Sequence, residues 1–219
     1  MTRKRLRAVL FGPQGCGKGT QGQLLSDRYG VPLVGSGDLI RTEMEECSAL
    51  GRLIEPYVSH GMLAPDELVN AILTKQLKQL DLERGFIFDG YPRNVEQAEL
   101  FDKQMRANLA IQIKLSDATA VKRLAGRRQC SVCRSVFHVT EAPPIKPSVC
   151  SLCGGKLVVR PDDTEAIIRE RLAAYRFMTE PMAVYYRKRG VLLAVNGEQS
   201  ILQLFEELSR KLSKLGFVA

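Results

Sequence analysis

The stretch Phe11–Thr20 reads FGPQGCGKGT and directly follows the apolar run Ala8-Val9-Leu10-Phe11. Glycine loses more freedom on folding than any other residue, so a cluster of it belongs where backbone turns tightly or approaches another group closely. Gly12, Gly17 and Lys18 satisfy GxxxxGK, and a helix-forming segment, KGTQGQLLSDRYG, follows. A strand, a glycine loop and a helix start in that order make an anion nest. Successive N–H groups converge, the helix N-terminus adds partial positive charge, and Lys18 reaches the outer phosphates. A glycine-rich turn with an incidental lysine is the plainer alternative, and the strand–loop–helix context weighs against it. The hydroxyl residue that ordinarily follows the lysine is Gly19 here, with Thr20 next. A Mg²⁺ ion accompanying the nucleotide is therefore expected to be held differently. Cys16 reads as a small filler rather than a nucleophile.

Around this loop, apolar runs alternate with helical segments. Strands are expected at Ala8–Phe11, Pro32–Val34, Phe86–Phe88, Ala110–Leu115 and Val191–Val195, with helices at Pro65–Leu80 and Asp163–Phe177. Pro65 opens the first of these helices and acids occupy its first turn. Pro181 is expected to kink or split the helix that would continue past it. The alternation predicts right-handed crossovers and a five-stranded parallel sheet covered by helices on both faces. At 219 residues the chain can bury one sizeable core with a small inserted module.

That module is visible as a break in the pattern. Residues 128–160 carry four Cys, three Pro and two adjacent Gly, with little helical period. Cys130-x2-Cys133 and Cys150-x2-Cys153 stand sixteen residues apart, a spacing that reads as a closed tetrahedral Zn²⁺ site of structural type. Disulfides, another metal or an empty site are the alternatives. His138 reads as a packing or hydrogen-bonding residue rather than a fifth ligand.

The net charge of +8 favours anionic partners, whether nucleic acid, acidic lipid or small polyphosphates, or else a merely solvated basic surface. No apolar run reaches the roughly 18–20 residues that cross a bilayer, and no signal peptide is read. A cytoplasmic location is expected. The basic residues fall into short motifs: GSGDLIRTEM with Ser36, Asp38 and Arg41; FDGYPRNVEQA with Asp89, Arg93 and Gln97; VKRLAGRR with Arg123 and Arg127; and VVRPDDTEAIIRERL with Arg160, Asp162, Asp163 and Arg171. Asp89 reads as a carboxylate that orients Mg²⁺ through water, with a structural salt bridge as the alternative. Asp162 and Asp163 read either as caps of the following helix or as hinge and lid-pairing residues.

Taken together, GPQGCGKGT, SGDLIR, FDGYPRNVEQA, RLAGRR and RPDD followed by RERL resemble adenylate kinases of the long, lid-bearing bacterial type, from Gly12 to about Gly197. The resemblance implies the P-loop NTPase fold. Its parts would be a core over 1–35, 66–127 and 161–219, an AMP-binding segment over 36–65 and a lid over 128–160. It implies Mg²⁺-dependent reversible transfer, ATP + AMP giving 2 ADP, by a monomer with a structural Zn²⁺ and no nucleic-acid or membrane partner. For ATP it implies Gly15, Cys16, Gly17, Lys18, Gly19, Thr20, Arg123, Arg127, Val136, Phe137 and Gln199. For AMP it implies Ser36, Arg41, Met62, Leu63, Ala64, Gly90, Tyr91, Pro92, Arg93, Gln97, Arg160 and Arg171. Lys18, Arg93, Arg123, Arg127, Arg160 and Arg171 would stabilise the transferring group. The chain departs from the family pattern at Gln14, Gly35, Tyr91 and Gln199, none of them a charged phosphate ligand. A kinase for another nucleoside monophosphate, one using GTP as donor, and a zinc-ribbon nucleic-acid-binding protein are the rival readings. Few aromatics and no Trp speak against the last.

Overall fold

Strand β1 (Arg7–Phe11) is apolar on both faces, which suits a strand covered from both sides. Ala8 and Leu10 enter one hydrophobic cluster, and Val9 and Phe11 enter another on the opposite face. The same two-residue period divides Phe86–Phe88, where Ile87 joins the first cluster and Phe86 and Phe88 the second. The computed structural model describes residues 4–62, 64–77 and 81–218. Its remaining strands are β2 (Leu33–Gly35), β3 (Phe86–Asp89), β4 (Leu109–Lys114), β5 (Arg127–Cys130), β6 (Val136–His138), β7 (Leu157–Val158) and β8 (Leu192–Asn196).

The main sheet has the order β2-β3-β1-β4-β8, with every pairing parallel. Each of the five expected strands lies within one residue of its observed limits. The strands are connected through α1 (Lys18–Tyr29), α2 (Ser36–Glu45), α3 (Ala49–Ser59), α4 (Asp66–Leu77), α5 (Val95–Gln104), α6 (Asp117–Ala125), α7 (Glu165–Ala174) and α8 (Met182–Lys188), and α9 (Ile201–Lys214) follows β8. The expected end of α4, residues 78–80, lies outside the described residues. Since β1 has β3 on one side and β4 on the other, the chain reverses its direction of build at the carboxyl edge of β1, where open α/β sheets form their ligand crevice.

Two helix expectations need correction. The helix expected over Asp163–Phe177 begins at Glu165, because Thr164 caps it by accepting the Ile167 N–H; neither Asp162 nor Asp163 is the cap. The break assigned to Pro181 starts a turn earlier, as a π-turn over Tyr175–Thr179. Pro181 then serves as the N-cap of α8. The π-turn lets the Thr179 hydroxyl donate to the Arg93 carbonyl at 2.6 Å, so the irregularity lies against a candidate site residue.

Strands β6-β5-β7 form a separate antiparallel sheet inserted between α6 and α7. Its buried cluster is only Cys130, Cys150 and Leu157, with Phe137 packed against it.

Candidate active site

The glycine loop leaves β1 and ends on α1. Gly15 and Gly17 hold φ of 80° and 93°, backbone that favours residues without a Cβ, and a Cβ at Gly12 would lie 2.4 Å from the Ile113 carbonyl oxygen. Lys18 opens α1, and its ammonium donates to the carbonyls of Gly12 at 2.7 Å and Pro13 at 3.0 Å. The Cys16 thiol is buried 3.7 Å from that ammonium; burial pushes its pKa up, against the pull of Lys18. This fits a filler better than a nucleophile. A Cβ at Gly19 would come within 3.3 Å of Asp89 Oδ2, so the departure at Gly19 leaves room beside this carboxylate. Burial raises the Asp89 pKa, and Lys18 opposes the shift.

The loop floors a cleft of about 850 Å³ walled by Arg41, Arg93, Arg123, Arg127, Arg160 and Arg171. Arg127 donates to Asp163 at 2.8 and 2.5 Å, Arg171 to Asp162 at 2.8 Å, and Arg41 pairs with Asp38. Arg123 donates to the carbonyls of Gly197 at 2.8 Å and Gln199 at 3.1 Å, and Glu141 lies 3.2 Å from its Nε. Arg160 donates to Gln129 Oε1 at 2.8 Å. Burial and then the neighbouring Arg171 bring the Arg93 pKa down to about 10. Burial, then Arg127 and Arg41, bring Arg160 down to about 9. The Arg171 pKa is lowered by burial and Arg127, against the pull of Asp162. These guanidiniums weaken one another's charge, and a polyanion among them reverses the sign of that interaction.

On the α2 side the Ser36 hydroxyl and Arg93 Nε both donate to the Gly90 carbonyl at 2.7 Å. Gly90, Pro92 and Met62 face the cleft, whereas Ser36, Ala64, Tyr91 and Gln97 stand behind its wall. The Tyr91 hydroxyl donates to Asn70. The Gln97 amide donates to Asp66 and accepts the Arg93 N–H at 2.7 Å, which fixes the Arg93 backbone. Leu63 lies outside the described residues.

The inserted sheet roofs the other side with Val136, Phe137 and His138, opposite Gln199. His138 Nδ1 accepts the N–H groups of Thr140 and Glu141 at 3.2 and 3.0 Å, the hydrogen-bonding role read from the sequence. The four sulfurs of Cys130, Cys133, Cys150 and Cys153 lie within 4.8 Å of one another, with pairs at 3.5 and 3.6 Å. A tetrahedral zinc with Zn–S bonds of about 2.3 Å has sulfur–sulfur edges near 3.8 Å, so the donor set fits that ion. The N–H groups of Val132 and Leu152 each point at a knuckle sulfur at 3.4 Å. These N–H donors favour the thiolates that the metal needs.

Sequence reasoning passed over Glu141, which pairs with Arg123, and Arg134, which reaches α2 from the inserted sheet. A lone Glu after His138 carries no signal, but an Arg directly after Cys133 stands where the second knuckle has Gly154.

The family model for adenylate kinase matches residues 10–191. The chain is 38% identical to the adenylate kinase of Methanosarcina barkeri over 214 residues, covering 95% of this chain and 99% of that protein. It is 38% identical to that of Archaeoglobus fulgidus over 215 residues, covering 96% and 99%. It is 39% identical to that of Desulfitobacterium hafniense over 208 residues, covering 93% and 96%.

Proposed function

The chain belongs to the adenylate kinase family, and on that premise we propose that its cleft holds two nucleotides head to head while a phosphoryl group passes between them. The activity is reversible transfer, ATP + AMP giving 2 ADP. The observation that carries the residue roles is that Arg41, Arg93, Arg123, Arg127, Arg160 and Arg171 line one cleft floored by the glycine loop, with Arg134 also at its border.

The transferring phosphoryl group spreads negative charge over its oxygens, so catalysis is positioning plus electrostatic stabilisation. Gly15–Thr20 cradle the ATP phosphates, and Lys18 exchanges the carbonyls of Gly12 and Pro13 for phosphate oxygens. Arg123 and Arg127 close on the donor, with Val136, Phe137 and the Gln199 backbone around its base. Ser36, Arg41 and Arg93 take the AMP phosphate, while Arg160 and Arg171 bridge the two nucleotides. Met62 lines the adenine of AMP with Ala64 behind it, and Gly90 and Pro92 shape the wall beneath it, backed by Tyr91. Gln97 reads the adenine edge when the base displaces Asp66 from its amide. The acceptor phosphate has a second pKa of about 6 and is largely ionised near pH 7, so no general base is required. Asp89, beside Gly19, would orient through water the Mg²⁺ that accompanies ATP, an ion that would supply neutralisation of phosphate charge. Cys130, Cys133, Cys150 and Cys153 would hold a Zn²⁺ that supplies a staple for the lid, with all four positions filled by protein.

The segment 36–65 acts as the AMP unit and 128–160 as the lid, moving against a core of 1–35, 66–127 and 161–219. Closure excludes water that would otherwise hydrolyse ATP. The enzyme works as a cytoplasmic monomer on free nucleotides, without nucleic acid or a membrane as partner. Its six unbonded cysteines suit a reducing compartment. Among the described residues no helix is long and apolar enough to cross a membrane.

A coupled assay of ADP formation from ATP with AMP, UMP, CMP and GMP tests the substrate assignment. Turnover with AMP far above the others is expected. Rapid turnover of UMP or CMP with AMP inert would overturn it.

A further inference from the structure

The two metal knuckles share one backbone geometry. Val132 N–H points at Cys130 Sγ and Leu152 N–H at Cys150 Sγ, both at 3.4 Å. The residue four beyond each first cysteine donates its N–H to that cysteine's carbonyl: Arg134 to Cys130 at 3.1 Å and Gly154 to Cys150 at 3.0 Å. Both residues are left-handed, with φ of 60° at Arg134 and 75° at Gly154. Glycine adopts this backbone without strain, whereas an arginine is disfavoured there. The first knuckle nevertheless places a long cation at this turn.

Its guanidinium leaves the lid and reaches α2. Arg134 Nη1 donates to the Thr42 hydroxyl at 2.8 Å and to the Asp38 carbonyl at 3.2 Å. Arg134 Nη2 donates to Glu45 Oε2 at 2.5 Å. Thr42 in turn donates to that same Asp38 carbonyl at 3.0 Å. The carboxylate of Asp38 pairs with Arg41, which faces the cleft. One lid side chain thus holds one face of the helix that carries Arg41.

We propose that Arg134 is a positioning residue, a latch that joins the closed lid to the AMP-side helix so that binding of the donor nucleotide tightens binding of the acceptor. The proposal rests on the adenylate kinase reading for the identity of the two ligands. Arg134 borders the cleft, but its guanidinium is taken up by Asp38, Thr42 and Glu45. The latch stabilises the state in which lid and α2 meet, and by linkage each ligand that favours this state favours the other. Glu45 is well exposed and Arg134 one-third so, which sets the expected size of the coupling at about threefold.

The test uses the full-length, zinc-loaded protein. AMP binding is measured by calorimetry alone and with a saturating non-hydrolysable ATP analogue, for the wild type, Arg134→Gly, Glu45→Gln and the double variant. In the wild type, AMP is expected to bind more tightly with the analogue present. Arg134→Gly should lower that enhancement about threefold, leave AMP affinity alone unchanged, and keep or raise the thermal midpoint, because glycine relieves the turn. Glu45→Gln should lower the enhancement too, and the double variant should fall no further than Arg134→Gly. An enhancement unchanged in Arg134→Gly overturns the latch. So does a loss of AMP affinity alone together with a lower midpoint, which would make Arg134 merely structural, and so do additive effects of the two substitutions. A wild type that binds the ATP analogue but no AMP would instead overturn the adenylate kinase reading.

Discussion

The sheet body and the lid hold charged side chains over one cleft by different means. The body has two large apolar clusters, one on each face of a parallel sheet, and the phosphate loop hangs from its central strand. The lid has a buried apolar cluster of three residues and a four-sulfur cluster. A module of that size lacks the apolar area to order itself, so a metal is a physically sensible staple. The contrast teaches that rigidity comes from burial where the chain is long enough and from ligand bonds where it is not. It also separates two kinds of damage: a change in the loop should remove chemistry and spare the fold, whereas loss of the metal should loosen the fold and spare the chemistry.

Lys18→Met should have the largest effect, a fall in kcat of about 10²–10³-fold or more with little change in thermal midpoint. Near-wild-type turnover would detach the loop from the chemistry. Next comes the staple. Cys130→Ser, or chelation of the metal, should lower the midpoint by about 5–10 °C while turnover in the cold changes less than about threefold. The reverse ordering, with turnover lost and the midpoint kept, would make the metal catalytic. Ile111→Val in the central sheet removes one buried methylene at a cost of about 1 kcal/mol, and so should shift the midpoint by about 2–4 °C. A larger drop there than at Cys130 would erase the contrast.

The smallest effect concerns the AMP-side helices, where Glu43 of α2 is buried and accepts from Ser48 at 2.6 Å and from Lys75 of α4 at 2.7 Å. The hydrogen bond from Lys75, then that from Ser48, lower its pKa. A depressed folded-state pKa contributes stability that is present above the unfolded value of about 4.3 and is lost as pH falls through the folded one. Glu43→Gln should therefore lower the midpoint by about 2 °C at pH 7, and the difference should shrink below about pH 4. A gap independent of pH would show that packing, not charge, is what Glu43 supplies.

Much of this was legible in the sequence because period and punctuation carried it. Apolar runs marked the five strands, and the two Cys-x-x-Cys pairs marked the lid's staple. Contacts between distant segments were not legible. The cap of α7 is Thr164 because Asp163 is drawn to Arg127, a pairing across 36 residues that no local pattern shows. The π-turn before Pro181 sets Thr179 against the carbonyl of Arg93, 86 residues away. Gln97 sits on the expected motif, yet its amide meets Asp66 of another helix. Such partners become visible only once the fold brings the elements together.

The central claim, two nucleotides sharing one arginine-walled cleft, is tested most directly by inhibition with a single molecule carrying two adenosines joined through five phosphates. The expected result is one molecule bound per chain, competitive with ATP and with AMP alike, and binding sharply weakened by Lys18→Met. Competition with only one of the two substrates, or binding indifferent to Lys18, would contradict the account.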